Sequence, residues 1–339
     1  MRTLVYAEPH RMELRDAPVP GPGPKEVVVK VEAAGVCGSD LHGYLGKSLN
    51  RKPPLVMGHE FAGVVASVGE AVRDISAGTA VAVYPLITCG RCHACARGDS
   101  SQCAFRQVIG VHRPGGFAEF AVVPRASVVP LPAGMTAFTA SLAEPLANAV
   151  HIFNRNVRGL VRRIAIFGAG TQGVMALHLA SLLSPAVLAA VDIVPARLAL
   201  AARLGATAAL NAGAEDAVAR IREVTGGEGV DLAVEAAGTA AARQAALASV
   251  RSGGTVVFLG LGEEITPLNA IDIVNREVTV RGSYAYTYDD FVRAVELLGT
   301  GLIPGEWARP YALEAGPMVF RKLTTDPGDL IKAVLTPAS

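Results

Sequence analysis

The stretch RRIAIFGAGTQGVMALHLASLL, residues 162–183, restricts the fold of this chain more than any other. An apolar strand ends at Phe167, a glycine turn follows, and an apolar helix begins. Gly168 permits a tight turn, Gly170 lets the backbone approach a pyrophosphate, and Gly173 lets the helix pack on the strand. The pattern is weak by itself, but here it lies between a strand and a helix, the context that a dinucleotide-binding turn requires.

Short apolar strands alternate with helical segments through the rest of this half of the chain. The strands are predicted from Ile164 and at LAAVD, ATAAL near residue 210, VDLAVEAAG, TVVFLGL and VTVRG. Six parallel strands make a complete dinucleotide-binding sheet, so we predict an α/β fold with a doubly wound Rossmann sheet.

An acidic residue, Asp192, ends the second of these strands. A carboxylate there can accept hydrogen bonds from both adenosine-ribose hydroxyls, which favours NAD and disfavours the extra phosphate of NADP. Arg197 is a second candidate cofactor residue, because it could pair with such a phosphate if Asp192 were replaced. The alternative is that Asp192 only caps the helix that starts near Pro195.

Four of the five cysteines lie within CGRCHACARGDSSQC, residues 89–103. Their spacing suits four thiolates around a tetrahedral zinc, which would fold a loop too polar to fold alone. The predicted ligands of this structural zinc are Cys89, Cys92, Cys95 and Cys103. Unligated thiols, a zinc ribbon that reads nucleic acid and an iron–sulfur cluster are the alternatives. A metal with four thiolates has no open position, so we expect the chemistry elsewhere.

A second group of polar side chains has the composition of a catalytic metal site. GVCGSDLH contains Cys37, GHEFAGVV contains His59 and Glu60, and AEPLANAVH contains Glu144. A mixed sulfur, nitrogen and oxygen set with one vacant position is typical of catalytic zinc. Each residue also has a plain alternative: a buried small side chain for the cysteine, a core or surface histidine, and a carboxylate at a helix start.

Charge and hydropathy exclude some classes of function. The formal net charge is +1, which argues against an electrostatic grip on nucleic acid or a membrane surface. The uncharged run from Ile164 to Val191 contains the glycine turn, so it predicts a strand, a helix and a second strand, not a membrane span. The N-terminal residues do not resemble a secretory signal, and we therefore expect a cytoplasmic protein.

These motifs together make the chain resemble the zinc-dependent medium-chain alcohol and polyol dehydrogenases over essentially its whole length. GVCGSDLH, GHEFAGVV, the four-cysteine loop, EPL and GAGTQG occur in that family's order. The resemblance implies a GroES-like β-rich catalytic domain, residues 1–147 completed by 288–339, that holds both zinc ions. It also implies a Rossmann NAD-binding domain over residues 148–287 and a homodimer or homotetramer.

The resemblance also implies roles for the polar residues. Cys37 and His59 would bind the catalytic zinc, with Glu60 and Glu144 as candidates for the remaining positions; a glutamate at 144 is typical of the sorbitol and threonine dehydrogenase branch. The zinc would polarise an alcohol oxygen, and the nicotinamide would accept the hydride. Ser39 could take the proton and pass it through the cofactor ribose to His42, whose pKa lies near neutrality.

The substrate is less sharply predicted than the reaction. After the sixth strand the chain reads RGSYAYTYDDF, where the polyol branch is expected to have an arginine beside a tyrosine. We therefore expect a small secondary alcohol or polyol, with threonine or another amino alcohol as the alternative. A zinc-free enone or quinone reductase would not need the three metal-ligand candidates together, and a non-enzymatic zinc and nucleotide binder would not need Ser39 and His42.

Overall fold

The structure, a computed structural model, describes residues 1–157 and 160–337. The chain forms two compact units. One comprises Met1–Glu144 and Thr287–Ser339, and the other comprises Pro145–Tyr286. No helix in the described ranges is long and apolar enough to cross a membrane.

The structure contains the following strands and helices in chain order. The strands are β1 (Arg2–Glu8), β2 (Arg11–Asp16), β3 (Glu26–Gly35), β4 (Leu55–Val56), β5 (Glu60–Val68), β6 (Ala80–Val83), β7 (Leu86–Ile87), β8 (Gln107–Val108), β9 (Phe120–Pro124), β10 (Val128–Pro130), β11 (Arg163–Phe167), β12 (Val187–Asp192), β13 (Ala208–Asn211), β14 (Val230–Glu235), β15 (Val250–Phe258), β16 (Thr279–Gly282), β17 (Ala308–Ala312) and β18 (Lys332–Thr336). The α-helices are α1 (Gly38–Tyr44), α2 (His93–Ala96), α3 (Ala137–Ala140), α4 (Ala143–Asn156), α5 (Thr171–Ser181), α6 (Pro195–Arg203), α7 (Ala217–Val224), α8 (Ala240–Ser249), α9 (Ala270–Asn275), α10 (Tyr288–Gly299) and α11 (Gly316–Thr325).

The first unit is mainly antiparallel β-structure. Its largest sheet has the order β10-β6-β5-β3-β18-β17, and β9 also pairs with β3. The long strand β3 is the centre of this sheet, because its valines are buried and its two edges serve three antiparallel partners. The C-terminal strand β18 pairs with the end of β3 through Val334 and Gly35. This pairing places Lys332 in the interior of the first unit, where the metal-ligand candidates also lie.

The second unit contains a six-stranded sheet whose order is β13-β12-β11-β14-β15-β16, with every pairing parallel. This is the doubly wound dinucleotide-binding order, and all six strands predicted from the sequence are present. Strands β11, β12 and β14 are almost completely buried, which explains their continuous apolar runs. The predicted parallel α/β sheet is therefore confirmed.

Candidate metal and cofactor sites

Three of the predicted ligands of the catalytic zinc lie together in the first unit. The ligand atoms of Cys37, His59 and Glu60 are all within 4.8 Å of one another. Cys37 directly precedes α1, and the pairing of β3 with β5 sets Glu60 opposite Gly35. A side chain at Gly35 would collide with the Glu60 carboxylate and the end of Lys332, so it would displace this pair.

The donor set fits a bound cation. His59 and Glu60 are buried, and the Oε1 atom of Glu60 has no hydrogen-bond partner among the described residues. Burial alone would lower the pKa of His59, but the charges of Asp40 and Cys37 raise it well above its usual value. The site therefore favours positive charge, and zinc suits a thiol, an imidazole and a carboxylate.

Glu144 is not a member of this set of three. It is buried in the first turn of α4, as expected for an acidic residue at a helix start. Its ligand atoms are not among those within 4.8 Å of one another, but its charge helps to raise the pKa of the buried Lys332. Burial opposes this rise, whereas Glu60 and Cys37 add to it. Glu144 thus belongs to the electrostatic surroundings of the three clustered residues.

Two basic residues that sequence reasoning did not identify belong to the site: Lys332 contacts Glu60, and Arg51 contacts Asp40. Lys332 forms a completely buried ion pair with Glu60 and donates a hydrogen bond to the backbone oxygen of Val36 at 3.1 Å. Arg51 is buried and donates from Nη2 to Asp40 Oδ1 at 3.1 Å. The only signal in the sequence is a lone basic residue in an apolar strand for Lys332, and an Arg–Lys pair before two prolines for Arg51.

Asp40 links these contacts to the metal-ligand candidates. Its carboxylate accepts the backbone N–H of Cys37 at 3.1 Å and lies 3.4 Å from Nδ1 of His59. Burial would raise the pKa of Asp40, but the charges of His59 and Arg51 and the backbone N–H of Cys37 lower it to about 2. The residue is therefore a carboxylate at all physiological pH values, and it orients the imidazole of His59.

Ser39 and His42, the predicted proton-relay residues, both lie on α1 and are half-buried. Ser39 Oγ accepts a hydrogen bond from Arg51 Nη2 at 2.9 Å. Partial burial lowers the pKa of His42, and the charges of Lys47 and Arg51 lower it further. His42 is therefore neutral at neutral pH, the state in which an imidazole can accept a proton.

The four cysteines of the 89–103 loop also converge. Their sulfur atoms lie within 4.8 Å of one another; Cys92 and Cys95 are 3.5 Å apart, and Cys89 and Cys103 are 3.6 Å apart. None is in a disulfide. A backbone N–H lowers the pKa of Cys92 to about 6, and burial raises that of Cys95 to about 11. Because four adjacent thiolates repel one another, the arrangement suits a divalent cation that would hold all four deprotonated.

The glycine turn of the second unit has the geometry that its sequence predicts. Gly168 has φ +90, and a Cβ there would meet the backbone of Ala237. A Cβ on Gly173 would collide with the carbonyl of Gly168, so helix and strand could not pack so closely. Gly170 faces open space at the start of α5, and no side chain caps this helix. The turn thus leaves backbone N–H groups and room for a phosphate.

Asp192 is buried and makes backbone hydrogen bonds with both oxygens. Oδ2 accepts the N–H of Ala169 in the glycine turn at 2.6 Å, and Oδ1 accepts those of Ile193 and Val194 at 2.8 and 2.9 Å. The N-cap of α6 is Val194, which makes no side-chain cap bond. Arg197 Nη1 lies 3.8 Å from Asp192. Asp192 therefore links the end of β12 to the glycine turn through a side-chain hydrogen bond.

The tyrosines after β16 differ in their surroundings. Tyr284 is half-exposed, Tyr286 is completely buried, and Tyr288 packs its ring against that of Tyr84 at 5.3 Å. Ala285 between the first two has φ +55, a conformation that is unusual for a residue other than glycine. Tyr286 and Tyr288 are thus packing residues at least in part.

Two family models match the chain. The alcohol dehydrogenase GroES-like domain matches residues 23–133, and the zinc-binding dehydrogenase domain matches residues 173–300. The first match contains Cys37, His59, Glu60 and the four-cysteine loop, whereas Glu144 lies outside it. The second starts at Gly173 and covers the last five strands of the parallel sheet.

Similar proteins agree with these matches. The chain is 34% identical to sorbitol dehydrogenase of Bacillus subtilis (strain 168), over 89% of this chain and 87% of that protein. It is 36% identical to L-threonine 3-dehydrogenase of Bacillus velezensis, over 86% and 85%. The chain also superposes on the crystal structure of a zinc-binding dehydrogenase from Sinorhizobium meliloti 1021 that is bound to NADP. The TM-score is 0.93, at 32% identity over 99% of both chains. The chain therefore belongs to the zinc-dependent medium-chain dehydrogenases, in the polyol and threonine dehydrogenase branch, and is an oxidoreductase that uses zinc and a nicotinamide cofactor.

Proposed function

We propose that this protein oxidises a small secondary alcohol or a polyol to the ketone and transfers the hydride to NAD. The observation that carries the proposal is the convergence of Cys37, His59 and Glu60, with the hydroxyl of Ser39 two residues from the cysteine. The names of the similar proteins support it, because sorbitol is a polyol and L-threonine 3-dehydrogenase acts on a secondary alcohol.

In the proposed mechanism, Cys37 and His59 would hold a zinc ion, whose Lewis acidity would lower the pKa of the substrate hydroxyl. Asp40 orients His59, and Lys332 neutralises Glu60 while one carboxylate oxygen stays without a hydrogen bond. Glu60 is the better-supported third ligand because it belongs to the set within 4.8 Å. Glu144 would then act through its charge.

The proton of the substrate hydroxyl would leave through Ser39 and His42. Ser39 Oγ accepts one hydrogen bond from Arg51, so it retains one lone pair and its own hydrogen for the transfer. His42 is half-buried, and its lowered pKa keeps it ready to accept a proton at neutral pH. The imidazole would then release the proton to solvent.

The cofactor site is assigned to Gly168, Gly170, Gly173, Asp192 and Arg197. The glycine turn and the start of α5 would bind the pyrophosphate. NAD is the proposed cofactor because a buried carboxylate, Asp192, ends β12 where NADP would place its extra phosphate. Since a structurally similar dehydrogenase is bound to NADP, the choice needs a direct test.

Two further features belong to the proposal. The catalytic domain would comprise residues 1–147 and 288–339 with two zinc ions, the second at the four-cysteine loop, and the NAD-binding domain residues 148–287. A homodimer or homotetramer is supported by the edge strand β16, whose four residues are exposed, and by the exposed Ile271 and Val274 on α9. A reducing cytoplasm is supported by five cysteines outside disulfides.

Metal analysis combined with a panel of substrates tests this function. Purified protein should contain two zinc ions per chain and reduce NAD with secondary alcohols, polyols or L-threonine, and chelation should abolish this activity. Faster turnover of L-threonine than of any polyol would assign the amino-alcohol alternative. Activity that survives complete removal of zinc, or reduction of enones without alcohol oxidation, would contradict the proposal.

A further inference from the structure

We propose that Arg51 is a positioning residue that holds the side chains of both Ser39 and Asp40. A single guanidinium thereby orients the proton acceptor, Ser39, and the carboxylate that supports the metal-ligand candidate His59. This inference rests on the proposed function, since Ser39 and His59 acquire their roles from it. Arg51 lies in the loop between α1 and β4, outside every motif that predicts the site.

The geometry of one nitrogen atom carries the inference. Arg51 Nη2 has two hydrogens and donates to Ser39 Oγ at 2.9 Å and to Asp40 Oδ1 at 3.1 Å. Asp40 in turn lies 3.4 Å from Nδ1 of His59 and accepts the N–H of Cys37. The same nitrogen therefore contacts the proposed proton acceptor and the carboxylate that supports the metal-ligand candidates.

The bond to Ser39 gives the hydroxyl a direction. Because a guanidinium only donates and keeps its charge at all accessible pH values, Ser39 Oγ must be the acceptor in this contact. The hydroxyl hydrogen of Ser39 is then available to a different acceptor, and the remaining lone pair to the substrate proton. Without Arg51 the hydroxyl could rotate and donate to Asp40 or to solvent, which would orient it wrongly for the transfer.

The burial of Arg51 is not explained by a contribution to stability alone. Gly43 on α1 leaves the space that the Arg51 stem occupies, because a Cβ there would collide with Arg51 Cδ. Its Nε atom is buried without a hydrogen-bond partner among the described residues, which is costly for a group that serves only packing. A buried arginine retained at such a cost is better explained by what its Nη2 atom holds.

The first test compares Arg51→Met and Arg51→Lys with Arg113→Met as the matched control. Arg113 forms an ion pair with Glu26 at 2.8 Å in the same unit, and within the described ranges no hydrogen bond or ion pair joins its side chain to a site residue. We expect kcat for alcohol oxidation to fall about 10- to 100-fold in Arg51→Met, with KM within about threefold, as for other residues that orient metal ligands. Arg51→Lys should stay impaired, because the shorter lysine side chain does not bring its nitrogen to the position of Nη2, and added guanidinium should partly restore Arg51→Met. Unchanged kcat in Arg51→Met would overturn the proposal.

A double-mutant cycle with Ser39→Ala separates positioning from a general structural defect. If Arg51 acts through Ser39, Arg51→Met should lower kcat much less in the Ser39→Ala background than in the wild type. A full additional loss in that background would overturn the assignment to Ser39. Thermal unfolding of each variant shows whether it is folded, and Arg51→Lys keeps the buried charge if Arg51→Met does not fold.

Zinc release provides a readout that does not need substrate. We expect Arg51→Met to lose one of its two zinc ions to a chromogenic chelator about tenfold faster than the wild type, because Asp40 no longer holds His59 in place. Equal release rates would overturn the role through Asp40. If the wild-type protein binds zinc but oxidises no alcohol, the proposed function fails, whereas the release rates still decide whether Arg51 supports the metal ligands.

Discussion

The amino group of Lys332 contacts the carboxylate of Glu60, and both side chains are completely buried. The pairing of β18 with β3 and of β3 with β5 brings these residues together although they lie 272 positions apart. Lys332 neutralises Glu60 through one oxygen, while the other oxygen keeps its lone pairs. A carboxylate can thus be buried beside a cysteine and a histidine and still have an oxygen available to bind a cation.

The first prediction concerns the stability that this ion pair provides. Lys332→Met should lower the free energy of unfolding by about 3 kcal/mol or more, because it leaves the buried Glu60 carboxylate without its partner. Lys322→Met on the exposed face of α11 is the control and should change it by less than about 0.5 kcal/mol. Adding Glu60→Gln to Lys332→Met should recover part of the loss in guanidinium unfolding experiments. A loss below about 1 kcal/mol would mean that the pair does not hold this region together.

A second prediction concerns two zinc ions of different lability. Chelation should first remove the zinc at Cys37 and His59 and abolish turnover with little unfolding, because an open site exchanges its metal more readily than a closed one. Cys95→Ser should instead impair folding or assembly, since the 89–103 loop depends on its metal. Metal analysis and circular dichroism during chelation check both expectations. One zinc per chain in fully active protein would contradict them.

The third prediction uses the lowered pKa of His42. The neutral imidazole accepts the proton, so kcat should fall as the pH drops through the His42 pKa, and this acid limb should lie below the usual histidine range. Lys47→Gln removes one of the two cations that lower this pKa, so the limb should move to higher pH. Lys52→Gln, which is also exposed, is the control and should leave the limb in place.

His42→Ala tests the same relay from the other side. This variant should retain zinc and cofactor binding but oxidise alcohol more slowly, with the largest deficit below neutral pH, where hydroxide is scarcest. Buffers of the imidazole type should restore part of the rate. A pH profile identical to that of the wild type would remove His42 from the mechanism.

The parts of the site that follow from local sequence were predictable, and those that depend on long-range pairing were not. The four-cysteine loop and the glycine turn are contiguous, so spacing alone indicates their geometry. Lys332 and Arg51 reach the site only through the tertiary fold, and nothing beside them in the sequence indicates their partners. Conversely, the predicted ligands Glu60 and Glu144 look equivalent in sequence, and only the structure separates them.

The geometry of Asp192 changes what a substitution there will do. If Asp192 only capped a helix, its carboxylate would accept N–H groups from the first turn of α6. Instead it accepts those of Ile193 and Val194, which precede that helix, and that of Ala169 in the glycine turn. Asp192→Ser should therefore loosen the glycine turn and weaken the binding of NAD and of NADP to a similar degree, since both cofactors contain the pyrophosphate. The ratio of kcat/KM for NAD to that for NADP removes this shared effect.

The fourth prediction is that Asp192→Ser shifts this ratio toward NADP about a hundredfold. Like charges at about 4 Å and an effective dielectric near 20 repel by up to about 4 kcal/mol, and a screened remainder of about 3 kcal/mol corresponds to that factor. Arg197, now 3.8 Å from Asp192, would be released to pair with the phosphate of NADP. Asp192→Ser combined with Arg197→Gln is the control, and it should lose most of the gain in NADP use while the loss in NAD use persists. If Asp192 serves only to fasten the glycine turn, kcat/KM should fall equally for both cofactors and the ratio should stay at its wild-type value, with or without Arg197.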